Sequence, residues 1–560
     1  MNYIVGIFNR KELSKKGVSI SREHFDDDTL NFSCSRSSNF SFDYQPFSYN
    51  PETGILCGAL GYFTNLDELK KRYLLDKVSD TEIIGELYKL TDLKFLEEIE
   101  GHFLIFIYDQ NLGKMYILQP EHGSFLPVYY IQNSGELIFS TSLKMLLKHS
   151  NIKREMDILS ARKFLYHEHI IPDDATLIKG VKKLVPQKYL VMDKHSNTLM
   201  TPSVITRRLK ISRIEAEENF VKYINNNIAK INSKLIDSPP AITLTAGYDS
   251  NLILFLLRSM TDAQINAITV NGGDEHNEVP VVENILKNYK DINLLTKDFN
   301  REVISSIPDL VWRYEGYLFE GGMFLRYYIC NLLREHGIKT AVFGAGSNEI
   351  LSREKQCLFH SKIDNLTTLT KNLIKRTFIG SLYYKTLGSK LPDHILRREF
   401  MSGSLRVKYN ISFDYILKMH DILLNSFNIQ GLHPFISKEI ISAALLLRSE
   451  NKEKRLFKEK ARHVIGEEIG KQLEQSDIVS DTEYIFKSSE DILLKVLHKE
   501  TTRRLLTSKQ IKLLKNNSLT FHTFIIQLVY LHLFNTLFIS GEYDTNFKND
   551  GIDFKLDELI

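Results

Sequence analysis

One segment has a residue order suited to phosphate chemistry: Ala241-Ile242-Thr243-Leu244-Thr245-Ala246-Gly247-Tyr248-Asp249-Ser250-Asn251-Leu252-Ile253-Leu254. An apolar strand ends at Leu244. A short loop with a small residue and a glycine follows, and an apolar helix is expected from about Ser250. A helix start offers free N–H groups and the positive end of its dipole, which together favour an anion. Ala246 and Gly247 have so little side chain that the backbone can approach a phosphate closely. Asp249 supplies a carboxylate for Mg²⁺, a cation that takes oxygen ligands and bound phosphates. The same residues also read as a plain helix start with an Asp or Ser N-cap. A second segment follows a later strand: Thr340-Ala341-Val342-Phe343-Gly344-Ala345-Gly346-Ser347-Asn348-Glu349-Ile350. Its two glycines again allow close backbone approach, and Asn348 and Glu349 offer oxygens to a metal.

Both loops need a sheet to hold them. Apolar runs at Ala241 to Leu244, Ile265 to Val270, Ile292 to Leu295 and Thr340 to Phe343 alternate with helical patterns. That is the βαβ order of a parallel sheet, whose carboxyl edge is where ligands bind. From about Thr367 onward the pattern is mainly helical. The first two hundred residues are different. Tyr3 to Phe8 reads as a strand, and His102 to Tyr108 with Lys114 to Leu118, and Val128 to Ile131 with Glu136 to Ser140, read as hairpins across turn-type residues. Asn65 to Tyr73 and Thr81 to Leu90 read as helices, so this part is α+β. The polar stretch from about His195 to Arg213 marks the boundary, giving domains at 1–200 and 210–560.

Composition narrows the functional classes. The chain has 560 residues, 43% hydrophobic and 25% charged, which excludes a disordered or fibrous protein. Lys plus Arg is 72 against 69 for Asp plus Glu, a formal charge of +3, which gives no electrostatic case for a nucleic-acid binder. Cys34, Cys57, Cys330 and Cys357 form no Cys-x-x-Cys pair, so neither zinc nor a disulfide framework is indicated, and a reducing cytoplasmic setting is expected. The first residues lack the pattern of a signal peptide. Phe521 to Ile539 is strongly apolar but carries His522, Gln527, His532 and Asn535, so a buried helix is expected there and not a membrane span.

The order of these pieces resembles the glutamine-dependent asparagine synthetase family, which includes β-lactam synthetases and lasso-peptide macrolactam synthetases. Ile4 to Phe8 is similar to its N-terminal strand. Gly61-Tyr62-Phe63-Thr64-Asn65 is similar to its Gly-Glu-Ile-Tyr-Asn, and Ser79-Asp80-Thr81-Glu82 matches its Ser-Asp-Thr-Glu. Thr245 to Ser250 resembles Ser-Gly-Gly-x-Asp-Ser, Gly344 to Glu349 resembles Gly-Glu-Gly-Ser-Asp-Glu, and Pro434-Phe435 sits at Arg-x-Pro-Phe-Leu-Asp. The shared order runs over more than 400 residues. The resemblance implies an N-terminal Ntn-hydrolase-like αββα sandwich. An α/β adenine-nucleotide α-hydrolase-like (PP-loop) synthetase domain with a helical C-terminus would follow. It implies Mg-ATP as co-substrate, with ATP and pyrophosphate against Leu244, Thr245, Ala246, Gly247, Asp249, Ser250, Thr269, Gly344, Gly346 and Ser347. Metal ligation would fall to Asp249, Asn348 and Glu349, and catalysis to Lys471, Lys454 or Lys458.

The departures from the family pattern carry information. Glutamine-using members have a nucleophilic Cys at position 2, where this chain has Asn2. The family Asn ahead of the Gly-Glu segment is Leu60. No glutaminase activity is therefore expected. Asp80, which matches a residue that meets the glutamine amine, would have lost that role. The family's metal-binding Asp is Asn348, the acid after Gly344 is Ala345, the Arg and Asp of the Pro-Phe motif are Leu432 and Ser437, and its transition-state Lys falls near Glu474. Lys471 lies three residues earlier, within reach of the same helix face. A ligase that uses an amine already on its substrate fits these departures, with a lasso-peptide cyclase as the specific form. A precursor peptide or an amino-acid-like molecule would be the substrate, and a leader peptidase a partner. Ammonia-dependent amidation and a non-catalytic relative are the alternatives.

Overall fold

The computed structural model describes residues 3–9, 19–20, 24–27, 29–35, 46–77, 79–120, 125–132, 136–148, 152–166, 171, 174–186, 188–193, 197–200, 211–233, 235, 240–271, 277–299, 301–317, 322–351, 405–447, 454–473, 482–540 and 556. Its first part is two antiparallel sheets packed face to face. One runs in the order Lys182–Lys183, Tyr129–Gln132, Glu136–Ser140, Tyr3–Asn9, Leu30–Ser35, His24–Asp26 and Ser19–Ile20. The other runs Asn197–Met200, Tyr189–Asp193, Lys114–Leu118, Gly101–Asp109, Ile55–Phe63 and Phe47–Asn50. Both expected hairpins form, with Ile107 opposite Tyr116 and Ile138 opposite Ile131.

Strand periodicity explains the sandwich. Side chains on a strand alternate between faces. Along Ile55–Phe63 and Gly101–Asp109, Leu56, Leu60, Leu104, Phe106 and Tyr108 face the first sheet. Ile55, Cys57, Ala59, Ile105 and Ile107 face outward into a second core with Ile83, Ile84 and Leu87 of the helix Asp80–Thr91. A strand buried on both faces reads as a continuous apolar run and not as an alternation. Between the sheets Phe106 stacks on Phe32 at 4.2 Å and lies 5.6 Å from Phe139. The Ser-Asp-Thr-Glu segment has a local explanation. Ser79 caps the helix by accepting from the Glu82 N–H, and the Glu82 carboxylate accepts from the Ser79 N–H at 3.1 Å.

The second part is built on a five-stranded parallel sheet in the order Ile292–Asp298, Ile265–Asn271, Ala241–Thr243, Thr340–Val342, Gln430–Leu432. The four expected strands are present. Gln430–Leu432 is a fifth, too short and too close to the ends of neighbouring helices to show a periodicity. The helix after the first strand begins at Tyr248, two residues before the expected start, with Gly247 as its N-cap.

The two parts share one apolar core, in which Phe8 and Phe106 of the sandwich join Trp312 and Phe538. Polar contacts stitch the same seam. The Glu315 carboxylate accepts from the Ser142 hydroxyl at 2.7 Å and from the Leu143 N–H, so it caps the helix Leu143–Leu147 from the other domain. Lys144 pairs with Glu315 at 3.3 Å and donates to the Trp312 carbonyl. Burial pushes its ammonium pKa down, and Glu315 works against that shift. Among the described residues one helical stretch, Ser518–Ile539, is long and apolar enough to cross a membrane, and 67% of its most apolar window is buried inside the protein. Tyr530 stacks on Phe164 of the sandwich at 5.5 Å.

Candidate active site at the sheet switch point

The strand order creates the site. From Ala241–Thr243 at the centre the chain builds outward to Ile265–Asn271 and Ile292–Asp298. It then returns to the opposite side for Thr340–Val342 and Gln430–Leu432. Where the winding reverses, the loops beyond adjacent parallel strands diverge and leave a crevice at their carboxyl ends. The two loops here are Leu244 to Gly247 and Phe343 to Gly346. Gly344 lets the second loop pass close to the first turn of the helix Tyr248–Arg258, because a Cβ at that position would lie 3.3 Å from the Asp249 Cβ. Gly346 has φ +94°, a conformation that glycine adopts without steric cost.

Asp249 lies in the first turn of the helix Tyr248–Arg258. Its Oδ2 accepts from the Ser347 hydroxyl at 2.6 Å and from the Lys454 ammonium at 2.6 Å, and Lys454 also donates to the Ser347 hydroxyl at 2.8 Å. Lys454 is almost wholly buried and has φ +59° just ahead of the helix Arg455–Ile465. A left-handed lysine costs of order 1–3 kcal/mol and persists only where its surroundings impose it. Asp249 Oδ1 is buried with no hydrogen-bond partner among the described residues. An orphaned carboxylate oxygen costs its desolvation and is the kind of atom a cation completes. The residues therefore fit Mg²⁺. Asp249 would hold it, and Asn348, half-buried in the helix Ser347–Leu351, follows the Ser347 that bonds Asp249 and carries a neutral amide oxygen. Glu349 belongs to that helix, but its side chain lies outside the described residues.

The loop amides differ from the expectation of free donors. The Thr245 N–H donates to the Ser250 hydroxyl at 3.2 Å, the Gly247 N–H to the Thr245 hydroxyl at 3.2 Å, and the Ala246 N–H to the Glu278 carboxylate at 3.0 Å. Buried amides rarely go unpaired, so the chain supplies its own acceptors. Glu278 puts an anion on this loop, where a phosphate would otherwise accept. The Asn251 amide holds the Thr245 and Gly247 carbonyls at 2.8 and 2.7 Å. Thr269 has its hydroxyl committed to the Leu244 carbonyl, and the Leu244 side chain sits in the core, so both brace the loop from beneath.

Of the three lysines, only Lys454 reaches Asp249. Lys458 is half-buried one turn further along the same helix, and Lys471 is exposed at the C-cap of Glu467–Gly470. Neither bonds to Asp249 or Ser347 among the described residues. Glu474 lies outside them. Two anchors were not foreseen. The Tyr248 hydroxyl donates to the Gly470 carbonyl at 3.0 Å and accepts from Arg462 at 2.8 Å, which ties the first loop to the element carrying Lys454. Asn227 donates to the Pro434 carbonyl at 2.7 Å and the Ile436 carbonyl at 3.1 Å, fixing the turn that contains Phe435. In the sandwich, Leu60 is fully buried between the sheets and Asp80 opens a capped helix. Residue 2 lies outside the described residues.

Two family models match this chain: a glutamine amidotransferase domain over residues 11–202 and an asparagine synthase domain over residues 235–511. Sandwich and switch-point sheet thus correspond to an N-terminal Ntn-type amidotransferase domain and a C-terminal PP-loop domain. The chain belongs to the asparagine synthetase family. It is 22% identical over 346 residues to a protein of Methanocaldococcus jannaschii named as a second glutamine-hydrolyzing asparagine synthetase, covering 59% of this chain and 63% of that one. It is 25% identical over 306 residues to amidase chyE of Penicillium rubens, covering 50% and 44%. The chain therefore spans less than two thirds of the length of either relative. Glutamine phosphoribosylpyrophosphate amidotransferase from B. subtilis aligns over 62% of this chain and 77% of its own, at 10% identity and a TM-score of 0.25, too distant to carry an argument.

Proposed function

We propose that the protein is an ATP-dependent, AMP-forming amide ligase that uses no glutamine. The observation that supports this reading is Asp249: a first-turn carboxylate at the switch point, held by Ser347 and Lys454, with one buried oxygen left open. A substrate carboxylate attacks the α-phosphorus of ATP, pyrophosphate leaves, and an acyl-adenylate forms. An amine then attacks the acyl carbon and gives up a proton, and AMP leaves. Lys454 is bonded to Asp249 and Ser347, and fixed positive charge there would stabilise charge developing in the transition state. Mg²⁺ at Asp249 would neutralise the phosphates. Glu278 must give way at the Ala246 N–H for a phosphate to bind there.

Leu60 favours an amine already on the substrate, because it places an aliphatic group where glutamine-using members have an amide. A tethered amine gains a high effective concentration. A peptide α-amine, with a pKa of about 7.7–8.0, has a substantial minority of its population neutral near pH 7.5. The form we favour is a lasso-peptide macrolactam cyclase, working in the cytoplasm on a precursor peptide trimmed by a leader peptidase. The test is to incubate the protein with Mg-ATP and candidate precursor peptides. Loss of one water from the peptide, with AMP formed, is expected. Unchanged peptide mass without AMP rejects the cyclase. A second reading, ammonia-dependent amidation, keeps the adenylation step and takes free ammonia as the amine. AMP release that needs ammonium and no peptide would support it. Absence of ATP binding by calorimetry, unaltered by Asp249→Ala, would leave a non-catalytic relative.

A further inference from the structure

Away from the crevice, three side chains with metal-binding atoms converge on the domain seam. His102 comes from the sandwich strand Gly101–Asp109, Asp421 from the helix Leu405–Ser426, and His433 from the turn after Gln430–Leu432. His102 Nε2 lies 2.6 Å from Asp421 Oδ2, and His433 Nε2 lies 3.0 Å from Asp421 Oδ1. All three side chains are wholly inaccessible. The imidazole rings stand 5.0 Å apart at 82°, so each points its Nε2 at the carboxylate without stacking on the other. Phe125 meets His102 edge-on at 5.8 Å and Phe343 lies 6.3 Å from His433, while His420, which accepts from the Arg326 guanidinium at 3.3 Å, lies 6.3 Å from His433.

Charge decides what this cluster needs. A carboxylate at zero exposure requires a positive partner or a metal. Among the described residues no lysine or arginine pairs with Asp421; its contacts are the two imidazoles. With both imidazoles neutral, the Asp421 charge has no cation bonded directly to it among the described residues. A divalent cation resolves this, and two imidazole nitrogens with a carboxylate are borderline ligands that suit Zn²⁺. Each carboxylate oxygen faces a different histidine, and one ligand atom from each of the three residues lies within 4.8 Å of the others, close enough to share one ion. Zinc–nitrogen and zinc–oxygen bonds of about 2.0–2.2 Å ask the nitrogens to move outward by tenths of an ångström from hydrogen-bond distance. The Tyr62 hydroxyl already fixes one ligand by accepting from the His433 backbone N–H at 3.0 Å.

We propose that His102, Asp421 and His433 form a structural zinc site that clamps the sandwich to the synthetase domain. Ligands 319 residues apart make the clamp a crosslink of the long chain between them. It is independent of the nucleotide crevice and of the ligase reading.

The test uses the full chain, purified from zinc-supplemented cells without immobilised-metal chromatography and assayed by elemental analysis. About one zinc per chain is expected, as in structural sites generally, retained in Asp249→Asn and lost in His102→Asn and His433→Gln. Prolonged EDTA should lower the melting temperature of the parent chain and leave that of His433→Gln unmoved. Cobalt(II) substitution should give the visible absorption of a low-coordinate site in the parent alone. A folded parent chain that holds no zinc, takes none up by calorimetry and ignores EDTA overturns the proposal and leaves a hydrogen-bonded His–Asp–His lock. Zinc retained by both histidine variants, or lost with Asp249→Asn, also overturns it. Should the variants fail to fold, the metal content and EDTA response of the parent chain decide the question.

Discussion

Two aspartates mark two different uses of a buried carboxylate. Asp249 sits where two loops diverge. Its side chain keeps 23% of its exposure, one oxygen holds Ser347 and Lys454, and the other has no partner among the described residues. Asp421 sits where two domains close, with no exposure and both oxygens engaged by histidine. An incompletely satisfied polar group at a crevice is a stored cost that a ligand can relieve. A carboxylate tied on both oxygens to histidines from two domains, directly or through the proposed zinc, is architecture. The contrast suggests that the reacting region is found by looking for what the fold leaves unfinished.

The comparison can be broken by crossing the effects of substitution. The largest is expected at the seam. Asp421→Ala strands two buried imidazoles and should cost about 3–5 kcal/mol of stability, read by denaturant unfolding. Equal stability would mean that the seam does not depend on the cluster. Next is Asp249→Asn, which should lower ATP-dependent AMP formation about 10³-fold, the several kcal/mol of a metal-supported transition state, while unfolding stays close to the parent. A variant that unfolds as badly as Asp421→Ala would turn Asp249 into architecture too. Smaller, and sharper for the site, is the choice among lysines. Lys454→Met should reduce the rate about 100-fold, comparable to loss of one preorganised charge donor, and Lys471→Met should leave it unchanged. The reverse order would assign catalysis to the exposed lysine.

Legibility followed chain distance. The parallel strands, both hairpins and the helices near Leu66 and Asp80 could be read because each has its periodicity within a dozen residues. The Asp249 loop was legible because strand, glycine and helix start are consecutive. Lys454 could not be separated from Lys458 and Lys471 by spacing alone. What distinguishes it is a left-handed turn that aims it 205 residues back along the chain. Glu278 gave no signal, since an acid before a helix is ordinary until a loop amide meets it. The Ser-Asp-Thr-Glu segment carried two meanings at once, a family match and a helix start, and the capping box of the helix start is present in the fold.

Local order alone determined an α+β first domain, the parallel second domain and the loop bearing Asp249, because apolar period and turn chemistry act between near neighbours. Which lysine meets that aspartate, what caps the loop amides, and that His102, Asp421 and His433 share one buried point were decided only by tertiary structure. Those contacts join residues tens to hundreds of positions apart, and it is packing that brings them together.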